Sequence, residues 1–398
     1  MAPKVKQSQK AYTVVIKLGT SSICDERTHE PLISNLSLIV ETVVKLRKLG
    51  HNVVLVSSGG IAMGLRRLDL PKRPSKLSAV QAIAAVGQGR LISLWDNLFS
   101  QLRQPIAQIL ITRNDIAERT QYVNAANTIS ELLHLGVVPI VNENDTLSVQ
   151  EIRFGDNDTL SAITAGMINA DYLFLLTDVE CMYTANPRSN PDAKPIRVVH
   201  DSSSVIADVS SPGSNVGTGG MKTKLIAAEL GTSSGVNVVI SHGSKPSNIL
   251  EIIRHASTSV DDLEKVEGLP LYTHFVAKKQ NRMRDRHFWL LHGLKPQGSL
   301  EIDGGAHEAI TRTNRAGLLP VGVTKVNGHF AAHQAVNIVF NGVVIGRALV
   351  NYSSTEIELI KRKRSNEIGS ILGFTETEYV AYRDYLVIKD FGTQELAK

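Results

Sequence analysis

Apolar runs alternate with amphipathic stretches along the chain from Thr13 to about residue 257. The apolar runs predict buried strands, at 13–18, 52–56, 107–111, 137–141, 172–176 and 236–240. The stretches between them predict helices, including 78–102, 124–135 and 221–230. Strands separated by helices imply right-handed crossovers and a parallel sheet that is covered on both faces. The pattern therefore predicts a three-layer α/β domain with a mainly parallel sheet.

The first long helix shows this pattern clearly. Its apolar positions share one helical face, at Leu36, Ile39, Val40, Val43 and Leu46. Ser34 or Asn35 is the predicted N-cap, and Gly50 is the residue expected to end the helix. A further helix is predicted to open at Gly59 and Gly60, directly after the second strand.

The composition changes between residues 256 and 287. The polar stretch 257–270 contains a glycine and a proline, as linkers do. Shorter β-like runs follow, separated by glycine, proline and Asn-Gly, at 287–291, 299–302, 318–323, 334–340 and 343–349. They predict a small, mostly β barrel of about a hundred residues. We therefore expect one domain at 12–257, a linker at 258–281 and a second domain at 282–381.

Size and composition narrow the class of protein. The 398 residues suggest about two to three domains, and a net charge of +5 is too mild to indicate nucleic acid or membrane as a partner. Cys24 and Cys181 are far apart in sequence, so no disulfide framework is indicated. The N-terminus has no apolar signal region, and we expect no apolar run near the roughly 18 residues that span a membrane. A cytoplasmic protein is expected.

The loop at 141–158 (VNENDTLSVQEIRFGDND) is unusually polar and follows a predicted buried strand. It contains three asparagines and five acidic residues, which are Glu143, Asp145, Glu151, Asp156 and Asp158. Ligands of open parallel sheets bind outside the carboxyl ends of the strands. The loop therefore predicts a site for a small charged molecule, although a solvated acidic loop is the simpler alternative.

Two further strand ends bear groups that suit an anion. Lys17 precedes the segment 18–22 (LGTSS), and a lysine in an apolar strand is costly unless its ammonium reaches a partner. The segment 57–60 (SSGG) lies between a strand and a helix, where glycine allows close approach and the helix N-terminus favours negative charge. The alternatives are an edge-strand lysine in solvent and an ordinary turn.

The glycine-rich segment 217–224 (GTGGMKTK) opens a predicted helix with Lys222 and Lys224 in its first turn. Lysines oppose the helix dipole there unless an anion neutralises them, so the segment resembles a phosphate cradle. Met221 precedes Lys222, which excludes a Walker A loop, and no GxGxxG motif follows a strand. Thr177 and Asp178 end another strand, where Asp178 could bind a base or ribose or simply cap a turn.

Two lysines, two glycine-rich segments and an acidic, amide-rich loop together indicate phosphoryl transfer to a small molecule. That reaction depends mostly on positioning and on electrostatic stabilisation of the moving group. No histidine cluster or cysteine pair suggests a bound metal in the protein itself. We expect Mg²⁺ to arrive with a nucleotide, held largely by phosphates and water.

The chain closely resembles the glutamate 5-kinase family of the amino-acid kinase superfamily, with an appended PUA domain. The matching segments are VVIKLGTS, LVSSGGIAMG, QAIAAVGQGRLI, VVPIVNEND, EIRFGDND, LLTDVECMYTANPRSNP, GTGGMKTK and SHGSKP. They cover nearly all of residues 12–257 in family order, while the C-terminal region resembles the PUA domain more loosely. The resemblance implies a three-layer αβα amino-acid kinase fold with a small, mostly β PUA-like barrel.

The resemblance also implies ATP-dependent phosphorylation of the γ-carboxylate of L-glutamate, the first step of proline synthesis. Lys17 and Lys224 would stabilise the transferring phosphoryl group, and Asp158 would hold both lysines. The residues implied to bind glutamate are Ser58, Asp145, Asp156 and Asn157. Those implied to bind ATP are Lys17, Thr177, Asp178, Thr218, Gly219, Gly220, Met221, Lys222, Thr223 and Lys224. Feedback inhibition by proline, with Glu151 in the responsible loop, and a dimer or tetramer are further family traits.

One departure and two alternatives remain. Many relatives have Ala where this chain has Gly60, which is a conservative change. Another carboxylate kinase of the acetylglutamate type is the closer alternative, and a substrate panel separates the two. RNA binding is the other, because PUA domains elsewhere bind RNA and basic residues cluster at two places in the C-terminal region, which are Arg282, Arg284, Arg286, His287 and Trp289, and Lys361–Arg364. A solvated face of an accessory domain accounts for them more simply.

Overall fold

A computed structural model of the chain describes residues 10–147, 157–185, 190, 192–201, 220–258, 266–278, 290, 294, 296–312 and 316–388. The chain divides into two compact units between residues 282 and 283. Each unit has a sheet and a hydrophobic core of its own.

The first unit contains ten strands and nine helices among its described residues. The strands are β1 Thr13–Leu18, β2 Asn52–Ser57, β3 Ile106–Ile111, β4 Val138–Glu143, β5 Tyr172–Thr177, β6 Met182–Tyr183, β7 Pro195–Ile196, β8 Val198–Val199, β9 Asn237–His242 and β10 Thr273–Phe275. The helices are α1 Thr20–Ile23, α2 Ile33–Lys48, α3 Gly60–Arg67, α4 Leu77–Ser100, α5 Arg113–Ala117, α6 Arg119–His134, α7 Asn157–Met167, α8 Met221–Ser233 and α9 Asn248–Arg254. All six predicted buried strands are present.

The central sheet has eight strands in the order β3-β4-β2-β1-β5-β9-β10-β8. Its pairs are parallel except that between β10 and β9. Leu18 at the end of β1 pairs with Ser57 of β2 and with Leu176 of β5. The carboxyl ends of these neighbouring strands therefore lie at one edge, which confirms the predicted mainly parallel α/β fold.

Both faces of this sheet are covered. Strands β1, β2 and β5 are buried almost throughout their lengths. Alternate residues of β1 (Val14, Ile16 and Leu18) join one core cluster with α2, α4 and α9. Residues of opposite parity face the other side, where α7 contacts β1, β2, β4 and β5. Burial on both faces explains the near-continuous apolar character of these strands.

Helix α4 is the longest helix among the described residues. Its 24 residues and mean hydropathy of 1.2 over an 18-residue window would allow it to cross a membrane on length and composition alone. This differs from the expectation that no apolar stretch approaches that length. Leu91, Trp95 and Phe99 of α4 are buried in the core cluster that contains β1, so this face of the helix packs inside the first unit.

The second unit is built on a five-stranded sheet with the order β12-β11-β13-β14-β15. Its strands are β11 Gly298–Ile302, β12 Val323–Gly328, β13 Ala335–Phe340, β14 Val343–Leu349 and β15 Leu386–Ile388. Its helices are α10 Gly304–Thr311, α11 Ser354–Ile360 and α12 Ile368–Leu372, with 3₁₀ turns at Pro320–Gly322, Ser365–Glu367 and Arg383–Tyr385. The predicted C-terminal sheet is therefore present, with more helix than the sequence pattern indicated.

Two sequence predictions in this region meet the structure differently. The run 318–323 was expected to be a strand, but Pro320–Gly322 forms a 3₁₀ turn and the strand begins at Val323. Proline lacks the N–H that a sheet ladder needs, which accounts for the turn. Strand β10 falls inside the segment predicted as a linker, and it pairs with β9 and β8 of the first sheet. The domain boundaries at 257 and 282 stay predictions.

Candidate active site

Lys17, Asp158 and Lys224 come together at the carboxyl edge of the first sheet. The Nζ atom of Lys17 lies 2.6 Å from Oδ1 of Asp158, and the Nζ atom of Lys224 lies 3.3 Å from Oδ2. Both lysines are 6% exposed and Asp158 is 0% exposed. One buried carboxylate therefore holds two ammonium groups that are 207 positions apart along the chain. We call this group the lysine–aspartate cluster.

Strand register and helix starts bring the cluster together. Lys17 lies between Val56 and Leu175 of the neighbouring strands, and its side chain projects toward the face covered by α7. Asp158 is in the first turn of α7, and Lys224 is in the first turn of α8, which packs against α7. The N-terminal ends of α7 and α8 therefore meet at Asp158, whose carboxylate also binds Lys17. Helix N-termini favour anions, as do the two lysines.

Thr223 links α8 to the same carboxylate. Its hydroxyl oxygen lies 2.8 Å from Oδ2 of Asp158 and 2.8 Å from the carbonyl oxygen of Gly220. A hydroxyl has one hydrogen, so Thr223 donates to one of these two acceptors at a time. Thr223 thus joins Lys224 in fastening the start of α8 to α7.

The electrostatics of the cluster are set by burial and by mutual attraction. Burial alone raises the pKa of the Asp158 carboxyl, but the ammonium groups of Lys17 and Lys224 outweigh it and bring that pKa to about 2. Burial lowers the pKa of Lys224, against the attraction of Asp158. Asp158 is therefore ionised throughout the neutral range, and Lys224 loses its proton more easily than an exposed lysine does.

A second group of polar side chains adjoins this cluster, because Asn157 precedes Asp158 in the first turn of α7. The Nδ2 atom of Asn157 donates to Oγ of Ser58 at 2.8 Å and to Oδ1 of Asn142 at 3.0 Å. The Nδ2 atom of Asn142 in turn donates to Oε1 of Gln88 at 2.8 Å. We call Ser58, Gln88, Asn142 and Asn157 the amide cluster.

The amide cluster leaves one acceptor for a ligand. The Oδ1 atom of Asn157 has no hydrogen-bond partner among the described residues. Buried polar atoms without a partner are rare, and at a site they indicate a group that the ligand completes. Asp145 follows β4 in a turn, where its backbone N–H donates to the carbonyl of Glu143 at 3.0 Å.

Sequence reasoning identified Ser58 and Asn157 but assigned no role to Asn142 or Gln88. Asn142 was visible only as one of three asparagines in the polar loop. Gln88 lies in the middle of α4, far from any strand end in sequence, and only tertiary packing brings it to the site. A single glutamine in a helix is usually a surface residue, and the one sequence signal for Gln88 was its place in the family-matching segment QAIAAVGQGRLI.

Thr177 ends β5 and Asp178 follows it, and both residues are predicted to bind the nucleotide. The hydroxyl of Thr177 donates to Oδ1 of Asp178 at 3.0 Å, and the charge of Asp178 raises the pKa of Lys224. Gly220 is the N-cap of α8, and Met221 begins the helix. Lys222 is exposed, unlike Lys224, so the two lysines of the glycine-rich segment face different environments.

Position 59 requires glycine because of its backbone conformation. It is the N-cap of α3 with φ of 100°, a left-handed conformation that favours glycine. A Cβ atom there would also lie 3.2 Å from Ile23. The predicted strand-to-helix turn at 57–60 is therefore a tight one, and it presents Ser58 to the amide cluster.

Several predicted residues lie outside the described part of the chain. They are Glu151, Asp156, Thr218 and Gly219, together with the basic and aromatic residues at 282–289. Lys361–Arg364 is described and follows α11; Lys361 pairs with Glu358, and the next three residues are exposed. RNA binding stays the less favoured alternative to a solvated face.

No group of three or more His, Cys, Asp or Glu side chains that could hold a metal ion occurs among the residues that the structure describes. The donors at the site are instead ammonium groups, amides, hydroxyls and scattered carboxylates. This set suits a ligand with phosphate and ammonium groups better than a metal ion bound by protein alone.

Two protein-family models match the chain. The model described as the amino acid kinase family matches residues 12–242, and the model described as the PUA domain matches residues 298–372. The first match covers more than half of the chain and includes the lysine–aspartate cluster and the amide cluster. The chain therefore belongs to the amino acid kinase family, with a PUA domain in its second unit.

Individual relatives give a finer comparison. The chain is 83% identical to the probable glutamate 5-kinase of Schizosaccharomyces pombe, over 98% of this chain and 96% of the relative. It is 47% identical to the glutamate 5-kinase of Rippkaea orientalis, over 94% of this chain and 99% of the relative. Among solved structures, the carbamate kinase from Giardia lamblia bound to AMP-PNP aligns with a TM-score of 0.47 and 18% sequence identity. The alignment covers 68% of this chain and 100% of the carbamate kinase chain. The predicted family resemblance is confirmed.

Proposed function

We propose that this protein transfers the terminal phosphoryl group of ATP to the side-chain carboxylate of L-glutamate, giving L-glutamyl 5-phosphate. The observation that supports this most directly is the pair of buried lysines on Asp158 beside the amide cluster. The similarity to proteins named glutamate 5-kinase supports the choice of substrate.

The chemistry needs no general base. A carboxylate has an ordinary pKa near 4.3, so it is already an ionised nucleophile at neutral pH. The negative charge on the moving phosphoryl group is instead met by Lys17 and Lys224, which approach it from β1 and α8. Asp158 keeps the two ammonium groups together and does not touch the substrate. Electrostatic stabilisation of this kind is the main requirement of phosphoryl transfer.

Glutamate is held by the amide cluster and the acidic loop in this proposal. The free Oδ1 atom of Asn157 accepts a hydrogen bond from the substrate ammonium group, and the hydroxyl of Ser58 binds a substrate oxygen. Asp145 and Asp156 add negative charge that attracts the ammonium. The negatively charged loop is thereby reconciled with a substrate that carries two carboxylates.

ATP is proposed to bind at the lysine–aspartate cluster, on the side of β5 and α8. Thr177 and Asp178 bind the nucleoside end, and the start of α8 from Gly220 to Lys224 binds the phosphates. Thr218 and Gly219, outside the described residues, are further proposed contacts. The described residues offer no group of carboxylates that would hold Mg²⁺ by itself. Mg²⁺ is therefore proposed to arrive with the nucleotide, bound mostly by phosphate oxygens and water.

The wider biochemical setting is also a proposal. Glutamyl 5-phosphate formation is the first step of proline synthesis, so we propose that proline inhibits the enzyme through the loop that contains Glu151. We further propose a cytoplasmic homo-oligomer, a dimer or a tetramer.

Replacing Glu151 by Ala should raise the proline concentration for half-inhibition more than it lowers kcat. An unchanged proline dose-response would contradict the role of Glu151.

The proposed reaction can be tested by trapping its product. Purified protein is incubated with ATP, Mg²⁺ and hydroxylamine, and the hydroxamate that forms from an acyl phosphate is measured. We expect hydroxamate with L-glutamate and little with N-acetyl-L-glutamate, because acetylation removes the ammonium group. Equal rates with both substrates would favour the acetylglutamate type of kinase, and absence of product with either would refute carboxylate phosphorylation.

A further inference from the structure

Gln88 belongs to the amide cluster, but the proposed reaction assigns it no contact with substrate. It is on α4, and its Oε1 atom accepts the hydrogen bond from Nδ2 of Asn142 at 2.8 Å. Asn142 in turn contacts Asn157 at 3.0 Å. Among the described residues, Gln88 is therefore connected through Asn142 to the amide that is proposed to meet glutamate.

The orientation of Asn142 is fixed from its other end. The backbone N–H of Glu143 donates to Oδ1 of Asn142 at 2.9 Å. A backbone N–H can only donate, so the oxygen of the Asn142 amide must face Glu143 and its nitrogen must face Gln88. The same oxygen accepts from Nδ2 of Asn157. The nitrogen of Asn157 is thereby engaged by Asn142, which directs its oxygen toward the ligand.

The packing of α3 on α4 makes room for this arrangement. A Cβ atom on Gly87 would lie 1.7 Å from the carbonyl oxygen of Gly60, and one on Gly64 would lie 2.0 Å from the carbonyl of Ile83. These glycines let the two helix backbones approach each other closely. Gln88, next to Gly87, consequently reaches past the start of α3 to the carboxyl end of β4.

We infer that Gln88 is a positioning residue for glutamate, acting through Asn142 to hold the amide of Asn157 with its oxygen toward the substrate. This inference rests on the proposed function. Without an acceptor at position 88, Nδ2 of Asn142 loses its partner in a buried place. The Asn142 amide is then held at its oxygen end, by Glu143 and Asn157, and no longer at its nitrogen end. The looser hold on Asn142 weakens its hydrogen bond with Asn157, so the Asn157 amide depends more on Ser58 and is less firmly oriented.

The test compares Gln88→Met with Gln88→Glu. Methionine keeps the length and much of the volume of glutamine but removes the acceptor, so we expect the KM for glutamate to rise about 10-fold to 100-fold. The KM for ATP should stay within about twofold, because the hydrogen bond of Gln88 leads to Asn142 and the amide cluster, whereas the described nucleotide residues lie at β5 and α8. Glutamate at position 88 keeps an acceptor oxygen, so Gln88→Glu should recover most of the affinity for L-glutamate.

Two controls separate positioning from general damage. Gln101→Met alters an exposed glutamine at the end of the same helix and should leave both KM values unchanged. The melting temperature of Gln88→Met, measured with saturating ATP, shows whether the variant is folded. A glutamate KM that is unchanged in Gln88→Met overturns the inference while the proposed function stands. Equal increases in both KM values, or no recovery in Gln88→Glu, also overturn it, and a wild-type protein inactive on glutamate overturns both proposals.

Discussion

At the scale of single residues, Asp158 has the most demanding environment in the described part of the chain. Its carboxylate is fully buried, yet it is ionised because two ammonium groups and the hydroxyl of Thr223 face it. Removing one partner of a buried ion pair leaves an uncompensated charge, which costs about 3–5 kcal/mol. Each lysine therefore depends on Asp158, which also offsets the repulsion between the two ammonium groups.

The two lysines can be tested separately for their role in phosphoryl transfer. We expect Lys17→Ala and Lys224→Ala each to lower kcat by roughly 10²–10³, the usual effect of losing one stabiliser of transition-state charge. Lys48→Ala, an exposed lysine at the end of α2, serves as the control and should keep wild-type turnover. Steady-state kinetics with hydroxamate detection gives the measurement. Wild-type kcat in either active-site variant would contradict the proposed role.

The lowered pKa of Lys224 leads to a prediction of how activity depends on pH. Burial lowers the pKa of Lys224 from the usual lysine value of 10.5. As pH rises, its positive charge is lost earlier than that of an exposed lysine, so kcat/KM for ATP should fall with a midpoint below pH 10.5. Lys224→Arg keeps its charge at any accessible pH and should shift this fall to higher pH. An alkaline profile that is identical in the two proteins would exclude Lys224 as its cause.

Residue identities at the site were only partly predictable from sequence. Lys17, Asp158, Lys224, Ser58 and Asn157 follow strand ends or open helices, where a parallel sheet gathers its ligand groups. Gln88 follows no such rule, because its place depends on how α4 crosses α3. Contacts of that kind are set by side-chain packing between helices, which residue spacing along one helix does not reveal.

At the scale of elements, the crossing of α3 and α4 depends on glycine. We expect Gly87→Ala to destabilise the first unit by about 3 kcal/mol, because the new methyl group would meet the carbonyl of Gly60. Gly89→Ala is the matched control on the same helix, since nothing lies within 4 Å of the Cβ position there. It should be neutral or slightly stabilising, because alanine favours helix over glycine.

These two variants can be compared by urea unfolding, with the fluorescence of Trp95 as the signal in a Trp289→Phe background. Trp95 lies on α4 and is fully buried, so it reports on the helix under test. Equal midpoints for Gly87→Ala and Gly89→Ala would show that the crossing relaxes without cost.

Element boundaries were less predictable than element types. The predicted cap of α2 at Ser34 or Asn35 is wrong, because the helix already begins at Ile33 with Leu32 as N-cap. Asn35 instead donates from its side chain to the carbonyl of Ser22 at 2.8 Å. The predicted stop was closer, since Gly50 follows the last turn with φ of 90°. The side chain of Asn35 therefore binds Ser22, 13 positions away, instead of capping its own helix.

At the scale of the whole molecule, the two units have separate cores, so damage to one core should remain local. We expect Ile338→Ala, at a fully buried position in β13, to destabilise the second unit by about 2–5 kcal/mol. Hydrogen exchange should quicken in β11, β13 and β14 and stay unchanged in β1 and β5. A similar change of exchange in both sheets would show that the units unfold together.

The overall architecture was the most predictable level. Apolar strands alternating with helices indicated the parallel sheet, because a strand buried on both faces must be apolar throughout. Strand β10 was not predicted, since three residues give no periodicity and it pairs antiparallel with β9 at a distance in sequence. The helices of the second unit were also missed, because α10, α11 and α12 are too short to establish a repeat.

The lysine–aspartate cluster contains two cations and one anion, so its interior is left with an excess of one positive charge before any nucleotide binds. Coulombic energy in a poorly hydrated interior is large, and an incoming terminal phosphate relieves this excess. In the proposed reaction ADP lacks that terminal phosphate, so it offsets less of the excess charge. If the proposed function is right, this excess charge would make the site hold ATP more strongly than ADP, which would help product to leave.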